Sequence, residues 1–294
     1  MVASILVLTA SLSAQTPIAA KLVIPETTLL PGVPFEAWIE LENRSGATLA
    51  VGLYTSLQAT TAEGPIEFQP DAPDLLIINS QTQKAVPYLE LASGARETIT
   101  LPIASLLSGA GVFTDARITG SGRYGVALRL DAWPLLRNGP PPDHFAGPVV
   151  TNEVMIDRIT PTGTDAEAWA YLQTVAEDAH VRWSPALWSA NFALLNAIVT
   201  RYPDSNYVPY ALLAGSFGNV NEKYLELTLG AIRRFSRSPV IDQLRWTAAG
   251  VAEQLVHPEI VDAQRNILRQ SKRPTTRDLV YGPKDPDRRP PDPR

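Results

Sequence analysis

Two patterns of apolar residues divide the chain. Up to about residue 160, short runs of β-branched and aromatic residues alternate with Pro and Gly. The stretch 35–42 alternates apolar and acidic residues, which is typical of an antiparallel strand with one buried face. Beyond residue 160, apolar residues recur at helical spacing, as at Leu187, Leu194 and Ile198. The pattern predicts a multidomain β + α protein, with a β-rich first half and an α-helical second half.

Further strands are predicted where β-branched runs lie between turn residues. They cover residues 48–54, 98–103, 123–130 and 150–159. Strands at this spacing favour a two-sheet antiparallel β-sandwich, which we expect over residues 20–160.

The helical half contains a turn that recurs along the chain. Arg201 to Ser205 ends one amphipathic helix, and a weaker copy begins at Arg234. The interval from position 201 to position 234 is close to the period of tetratricopeptide repeats, roughly 34 residues. It predicts an all-α domain of helical hairpins, a short α-solenoid, over residues 164–270. Its hairpins are expected at 186–218 and 222–254, between helices at 165–178 and 258–270.

Short motifs in both halves resemble known families. Leu30-Pro31-Gly32 before a strand, Gly122-Arg123-Tyr124-Gly125-Val126 and Thr151-Asn152-Glu153-Val154 resemble bacterial extracytoplasmic immunoglobulin-like sandwiches and, more loosely, a bacterial proteinase-inhibitor β-sandwich. The turn Tyr202-Pro203-Asp204-Ser205 resembles the tetratricopeptide-type repeats of envelope-associated bacterial proteins. The resemblance implies an immunoglobulin-like sandwich followed by helical repeats, and says little about activity.

Both ends of the chain differ in composition from the middle. Residues 1–14 are apolar or small and end in a small-x-small pattern, which predicts a signal peptide and hence a periplasmic or secreted protein. Residues 271–294 are rich in Pro and Arg and poor in apolar residues, which predicts a disordered tail.

Composition narrows the function classes. The net charge is −5 and no basic stripe is present, so binding to nucleic acid is not expected. The chain has no cysteine, which excludes disulfides, thiolate metal sites and a thiol nucleophile. The N-terminal apolar run is shorter than the roughly 18 residues that a membrane span requires, so no integral span is predicted.

No motif predicts catalysis, a metal or a cofactor. His144, His180 and His257 lack metal-ligand spacing, and neither a nucleophile elbow nor a phosphate loop occurs. Carboxylate pairs such as 71 with 74, or 177 with 178, are typical of solvated surface charges. Asn43-Arg44-Ser45 matches a glycosylation sequon, which we interpret as a hairpin turn.

The helical half is rich in aromatic residues. Such residues can line a binding groove between stacked helices, or fill wide gaps between small-residue helices. The first alternative predicts a binding set of Trp188, Asn191, Tyr207, Tyr210, Tyr224 and Trp246.

These observations predict a non-enzymatic, exported binding or scaffold protein. Its partner is expected to be a protein, bound in the helical groove or at a sandwich edge, and its oligomeric state is open. One alternative is a protease inhibitor that acts through loop 105–122 or 138–148. Another is an accessory or hydrolytic enzyme, which buried acidic residues with a shifted pKa would favour.

Overall fold

A computed structural model gives the fold of the 294-residue chain. The residues that it describes are 16–33, 36–52, 55–68, 77–79, 84–86, 88–101, 121–130, 143–179, 196–214 and 220–281. The predicted signal peptide, residues 1–14, and most of the two predicted inhibitory loops lie outside these residues.

The first half of the described chain consists of strands. They are β1 (Ile18–Val23), β2 (Thr28–Leu29), β3 (Ala37–Asn43), β4 (Leu49–Gly52), β5 (Thr55–Thr61), β6 (Gly64–Phe68), β7 (Ile77–Asn79), β8 (Lys84–Val86), β9 (Tyr88–Leu91), β10 (Arg96–Leu101), β11 (Gly122–Leu130), β12 (Val149–Val150) and β13 (Val154–Arg158).

Within the described residues these strands form four sheets. A three-stranded sheet has the order β1-β3-β10, and a six-stranded sheet has the order β2-β13-β11-β5-β6, with β12 also paired to β11. Two further pairs are β4-β9 and β7-β8. β2 runs parallel to β13, whereas the other pairs are antiparallel.

The predicted fold class is wrong. The described strands lie in several small sheets that include a parallel pair, and they do not form the expected immunoglobulin-like antiparallel sandwich followed by a separate α-solenoid. The protein is a mixed α/β structure in which the helical half hydrogen-bonds directly to a strand connection, as Tyr207, just before the helix Val208–Ala214, does to Pro31. The alternation of residues located individual strands, but sheet partners far apart in sequence leave no local signal.

The sheets bury the apolar face of each strand. In β11, Tyr124, Val126, Leu128 and Leu130 are buried, while Ala127 and Arg129 between them are partly exposed. Asn152 connects the two larger sheets, because its side-chain oxygen accepts a bond from Leu22 N at 2.8 Å and its nitrogen donates to Leu22 O at 3.4 Å. Asn152 therefore pairs with β1 as a neighbouring strand would.

Asn43, the asparagine of the sequon pattern, is fully buried at the end of β3. Its side-chain nitrogen donates to Ala47 O and Leu91 O, both at 2.8 Å, and its oxygen accepts from Ser45. Because that nitrogen is enclosed and bonded, Asn43 supports a turn, in agreement with the interpretation from sequence.

The second half of the described chain is helical. In chain order it contains α1, a helical stretch at residues 196–201, and then the helices α2 to α6. Their bounds are α1 (Gly163–Ala179), α2 (Val208–Ala214), α3 (Glu222–Arg234), α4 (Ile241–Gln254), α5 (Pro258–Arg269) and α6 (Pro274–Tyr281).

Capping residues set where these helices begin. The Asn221 side chain accepts the backbone N–H of Tyr224 at 2.9 Å and so caps α3. Pro258 occupies the first turn of α5, where its missing N–H has no cost. In α3, Tyr224, Leu225, Thr228, Ala231 and Ile232 share the buried face, the spacing that an amphipathic helix requires.

The turn that the sequence predicted to recur has the same backbone hydrogen bond in each copy. Ser205 N donates to Tyr202 O at 2.9 Å, Ser238 N to Phe235 O at 2.8 Å, and Ser271 N to Leu268 O at 3.0 Å. The three serines are equally spaced along the chain, and each lies shortly before the start of a helix, α2, α4 or α6. The third turn went unnoticed in the sequence.

The prediction of a disordered tail from Ser271 is wrong for residues 271–281. Pro274 to Tyr281 form α6, and Thr275 and Thr276 are buried. The composition of the segment suggested disorder because it has few apolar residues, but polar side chains hold it in place. Residues 282–294 lie outside the described part of the chain.

Val256, between α4 and α5, combines a positive φ of 64° with 81% exposure. The bonds from Val256 N to Glu253 O and from His257 N to Ala252 O form the turn that usually carries glycine at this position. A β-branched residue is strained there.

We expect Val256→Gly to raise the free energy of unfolding by about 1 kcal/mol, because glycine adopts positive φ without a steric penalty. Urea denaturation measures the change. Val220→Gly is the control, since Val220 is also exposed but lacks a positive φ. A Val256→Gly protein no more stable than the parent would contradict the assignment of strain.

Candidate functional site at the junction of strands and helices

The connection around β2, residues 26–36, meets the helices and is called the junction segment below. It contains Glu26, the loop 30–33 and Glu36, of which Leu29, Val33 and Glu36 are buried. Residues 34 and 35 lie outside the described part.

Arg158, the last residue of β13, holds the loop of the junction segment. One of its terminal nitrogens donates to Leu30 O and to Val33 O, each at 2.7 Å. Arg158 is 4% exposed, and this burial lowers its pKa, while neighbouring Tyr124 favours the charged form. A buried guanidinium here replaces the strand partners that these two carbonyls lack.

Trp169 and Tyr207 close on the same loop from the helical side. Their rings stack with centroids 6.0 Å apart and an angle of 11°, and the Tyr207 hydroxyl donates to Pro31 O at 3.0 Å. Gly32 has φ of +70°, and a Cβ there would lie 2.6 Å from the Trp169 ring. Only glycine therefore fits between this backbone and the ring.

Asp165, in the first turn of α1, binds the turn that precedes α2. One carboxylate oxygen accepts from the Ser205 hydroxyl at 2.8 Å and from Asn206 N at 2.7 Å, and the other accepts from the Asn206 side chain at 2.9 Å. These three bonds fix Tyr207 in position, because Tyr207 follows the two residues held.

Arg273, just before α6, binds both acidic residues of the junction segment. Its guanidinium donates to Glu36 at 2.7 Å, to Glu26 through a short ion pair, and to Pro239 O at 3.2 Å. Glu36 is 2% exposed, whereas the side chains of Glu26 and Arg273 are 24% and 32% exposed. One guanidinium thus serves two carboxylates.

Asp242, at the start of α4, fixes α6 from the other side. Its carboxylate accepts from the Thr276 hydroxyl at 2.8 Å and the Ser271 hydroxyl at 3.0 Å, and Arg245 approaches to 3.4 Å. Neutral donors and one arginine therefore satisfy a buried carboxylate.

Glu36 is the most strongly perturbed carboxyl group of this site. Burial raises its pKa to about 7, Arg273 opposes that rise, and the charges of Glu26 and Asp242 add to it. One oxygen each of Glu36 and Glu26 is buried without a hydrogen-bond partner. Glu36 therefore changes charge near neutral pH, in a place that offers the charged form too few partners.

The charged groups of the junction are bonded to other groups of the protein. No group of three or more metal-ligating side chains occurs among the described residues. His257 pairs with Glu222 at 2.8 Å on the surface, which raises its pKa, and His180 lies outside the described part. The arrangement can position helices on strands and can take up a proton at Glu36.

The four described members of the predicted aromatic binding set do not form an open surface. Tyr207 and Tyr224 are 3% and 4% exposed and donate to the carbonyls of Pro31 and Leu212. Tyr210 and Trp246 are half-buried, and burial strongly raises the pKa of Tyr210. Trp188 and Asn191 lie outside the described residues. Tyr207 and Tyr224 fill the core, which is the alternative that the sequence left open.

Sequence reasoning missed the charged residues of the junction. Glu36 belongs to an alternating stretch whose acidic residues were expected to face solvent, and Arg273 lay in the predicted tail. The recurring turn offered a signal for Arg273. The interval from Ser205 to Ser238, repeated once, leads to Ser271, which lies close to Arg273 in the chain. No local signal pointed to Glu36.

Comparisons with known proteins give no family. No family model matches the chain, and no curated protein matches it. A β-glucosidase structure from Listeria innocua in complex with gluconolactone matches 50% of this chain and 16% of that chain, with 13% identity and a TM-score of 0.28. A native α2-macroglobulin structure from Escherichia coli, spanning domain MG7 to the C-terminus, matches 91% of this chain and 53% of that chain, with 10% identity and a TM-score of 0.24.

This chain thus covers less than two thirds of either structure, and the TM-scores carry no argument about fold or function. The two family resemblances stay predictions. None of the described helices is long and apolar enough to cross a membrane.

We expect Gly32→Ala to lower the free energy of unfolding by about 2 to 4 kcal/mol, because the new methyl group adds a clash with Trp169 to the strain of positive φ. Gly94→Ala is a matched control: Gly94 has φ of +73° with no atom within 4 Å of the Cβ position, so its cost should be about 1 kcal/mol. Chemical denaturation of both proteins gives the difference. Equal losses would show that the Trp169 contact is unimportant.

Proposed function

We propose that this protein is a non-enzymatic binding or scaffold protein, exported by the cell, whose partner is another protein. The observation that carries the proposal is that the charged side chains at the junction are bonded to other groups of the protein. Arg273 binds Glu26 and Glu36, Asp242 binds Ser271 and Thr276, and Asp165 binds Ser205 and Asn206. Groups used in this way stabilise an arrangement of helices and strands.

The outer face of the six-stranded sheet supports a binding role. Met155 and Ile159 are 39% and 47% exposed and alternate with buried Ile156 and Arg158, so they lie on the same outward face. Val150 is 51% exposed and lies opposite Arg129 of β11. Because the next residue of β11, Leu130, points inward, Arg129 and Val150 face outward. The exposed apolar residues share this face with the exposed ion pair of Arg123 and Asp157. A face that combines exposed apolar and charged residues is typical of contact surfaces.

The free edge of this sheet is a poorer binding site than its face. β6 is a terminal strand in the described order, and it follows β5 through a two-residue turn. In such a hairpin the residues beside the turn bond to each other, so the next residue, Pro65, directs its nitrogen outward. A proline there removes a donor that an added strand would need.

One observation favours a second candidate, an acid-base enzyme. Glu36, with its pKa raised to about 7, has the protonation behaviour of a general acid, and Glu26 is a second carboxylate nearby. Glu36 is 2% exposed and bonded to Arg273, so a substrate would have to displace the arginine. The binding role therefore explains the geometry better.

The test captures partners from an envelope extract with the whole chain and then measures affinity for the purified partner by calorimetry. We expect the double change Val150→Glu and Met155→Glu to weaken binding at least about tenfold, since it places charge in an apolar contact. Ile267→Glu on α5, where Ile267 is 44% exposed, is the control and should bind normally.

Equal affinities of the three proteins would refute the sheet face as the binding surface. Substrate turnover by the parent protein that is lost in Glu36→Gln would instead favour the enzyme.

A further inference from the structure

Several polar side chains attach α6 to the rest of the protein. Arg273 precedes the helix and binds Glu26 and Glu36, while Ser271 and Thr276 donate to Asp242. The strand-side contacts of Arg273 link residues 237 and 247 positions apart in the chain, so they hold only while α6 stays docked.

The two carboxylates of the junction segment outnumber the one guanidinium that binds them. Glu26 and Glu36 share the single charge of Arg273, and Asp242 of α4 adds a third carboxylate, which Arg245 approaches. Tyr210 of α2 lies near both Glu26 and Arg158, since the charges of both act on its pKa. Glu36 and Glu26 each keep a buried oxygen without a partner, so a proton on one of them would remove a poorly compensated charge.

We propose that Glu26, Glu36 and Arg273 form a proton-dependent latch that holds α6 on the strands and weakens as the pH rises from mildly acidic to mildly alkaline values. The latch is a property of the fold and does not rest on the proposed binding role. It would let the pH of the surroundings control how often α6 leaves the junction.

The sign follows from the protonation states of Glu36. With α6 docked, burial raises the pKa of Glu36 from 4.5 to about 7, although Arg273 lowers it. In the proposed latch, the undocking of α6 removes Arg273 and also opens Glu36 to water, where its pKa returns to the ordinary value. The docked state therefore binds the proton more tightly. The resulting stabilisation of the docked state is complete below pH 4.5, declines as the pH rises towards 7 and is lost above pH 7. Over this range the equilibrium constant for docking falls by at most roughly 300-fold.

The experiment is hydrogen exchange of the whole chain, followed by mass spectrometry, between pH 5 and pH 8.5. After correction for intrinsic exchange, we expect protection of α6 to fall on the order of 100-fold over this range, while peptides of β11 change little. In Glu36→Gln, which keeps the shape without the titration, α6 protection should be independent of pH.

Glu26→Gln tests whether the two carboxylates share the arginine. Removing the Glu26 charge should lower the pKa of Glu36, because that charge helps to raise it, and so the loss of protection should move to lower pH. This variant also keeps the test decisive if circular dichroism shows that Glu36→Gln does not fold.

His257 titrates over the same range and requires its own control. Its bond to exposed Glu222 raises its pKa, so that interaction is also lost as the pH rises. His257→Gln should leave the pH dependence of α6 unchanged. The latch would be overturned by α6 protection that does not vary with pH. It would also be overturned if Glu36→Gln left the pH dependence of α6 protection unaltered, or if Glu26→Gln left the midpoint of that dependence unaltered. A pH dependence abolished in His257→Gln would overturn it as well.

Discussion

The position of the helices depends on how the backbone carbonyls of residues 30–33 are satisfied. This stretch leaves β2, crosses to the helices and returns towards β3, so strand partners cannot serve it. Arg158 donates to Leu30 O and Val33 O, and Tyr207 donates to Pro31 O. Since a buried carbonyl without a donor costs about 1 to 3 kcal/mol, an arrangement that moved Tyr207 away would lose stability at once. The loop thus ties the start of α2 to the end of β13.

The recurring turn explains why contacts to the junction segment come from two distant parts of the chain. Tyr207 and Arg273 each directly precede a helix, and they occupy equivalent positions in the first and third copies of the turn. Both reach the junction segment, one through a hydroxyl and the other through a guanidinium. Val240 holds the equivalent position in the second copy and is 1% exposed. The same backbone geometry therefore presents three different side chains.

Local elements could be predicted from the sequence, and their assembly could not. The alternation around Ile39 located β3 and the helical spacing located α3 and α5, because both depend on neighbouring residues. The parallel pairing of β2 with β13 joins Thr28 with Asp157, which lie far apart in the chain, and no short pattern encodes it. The predicted fold class was wrong for that reason. The candidate site was not predicted for a similar reason, because the roles of Glu36 and Arg273 depend on their contact with each other.

Charged residues take part in the attachment of α6 to the junction segment. An ion pair in a protein interior gains little net stability, because desolvation offsets most of the attraction. Apolar residues in place of Glu36 and Arg273 could hold α6 as firmly, and would hold it equally at every pH. Two carboxylates on one guanidinium instead leave a charge that a proton can remove. The arrangement therefore favours a single geometry of α6, set by the fork of the guanidinium, and makes the strength of docking depend on the proton concentration.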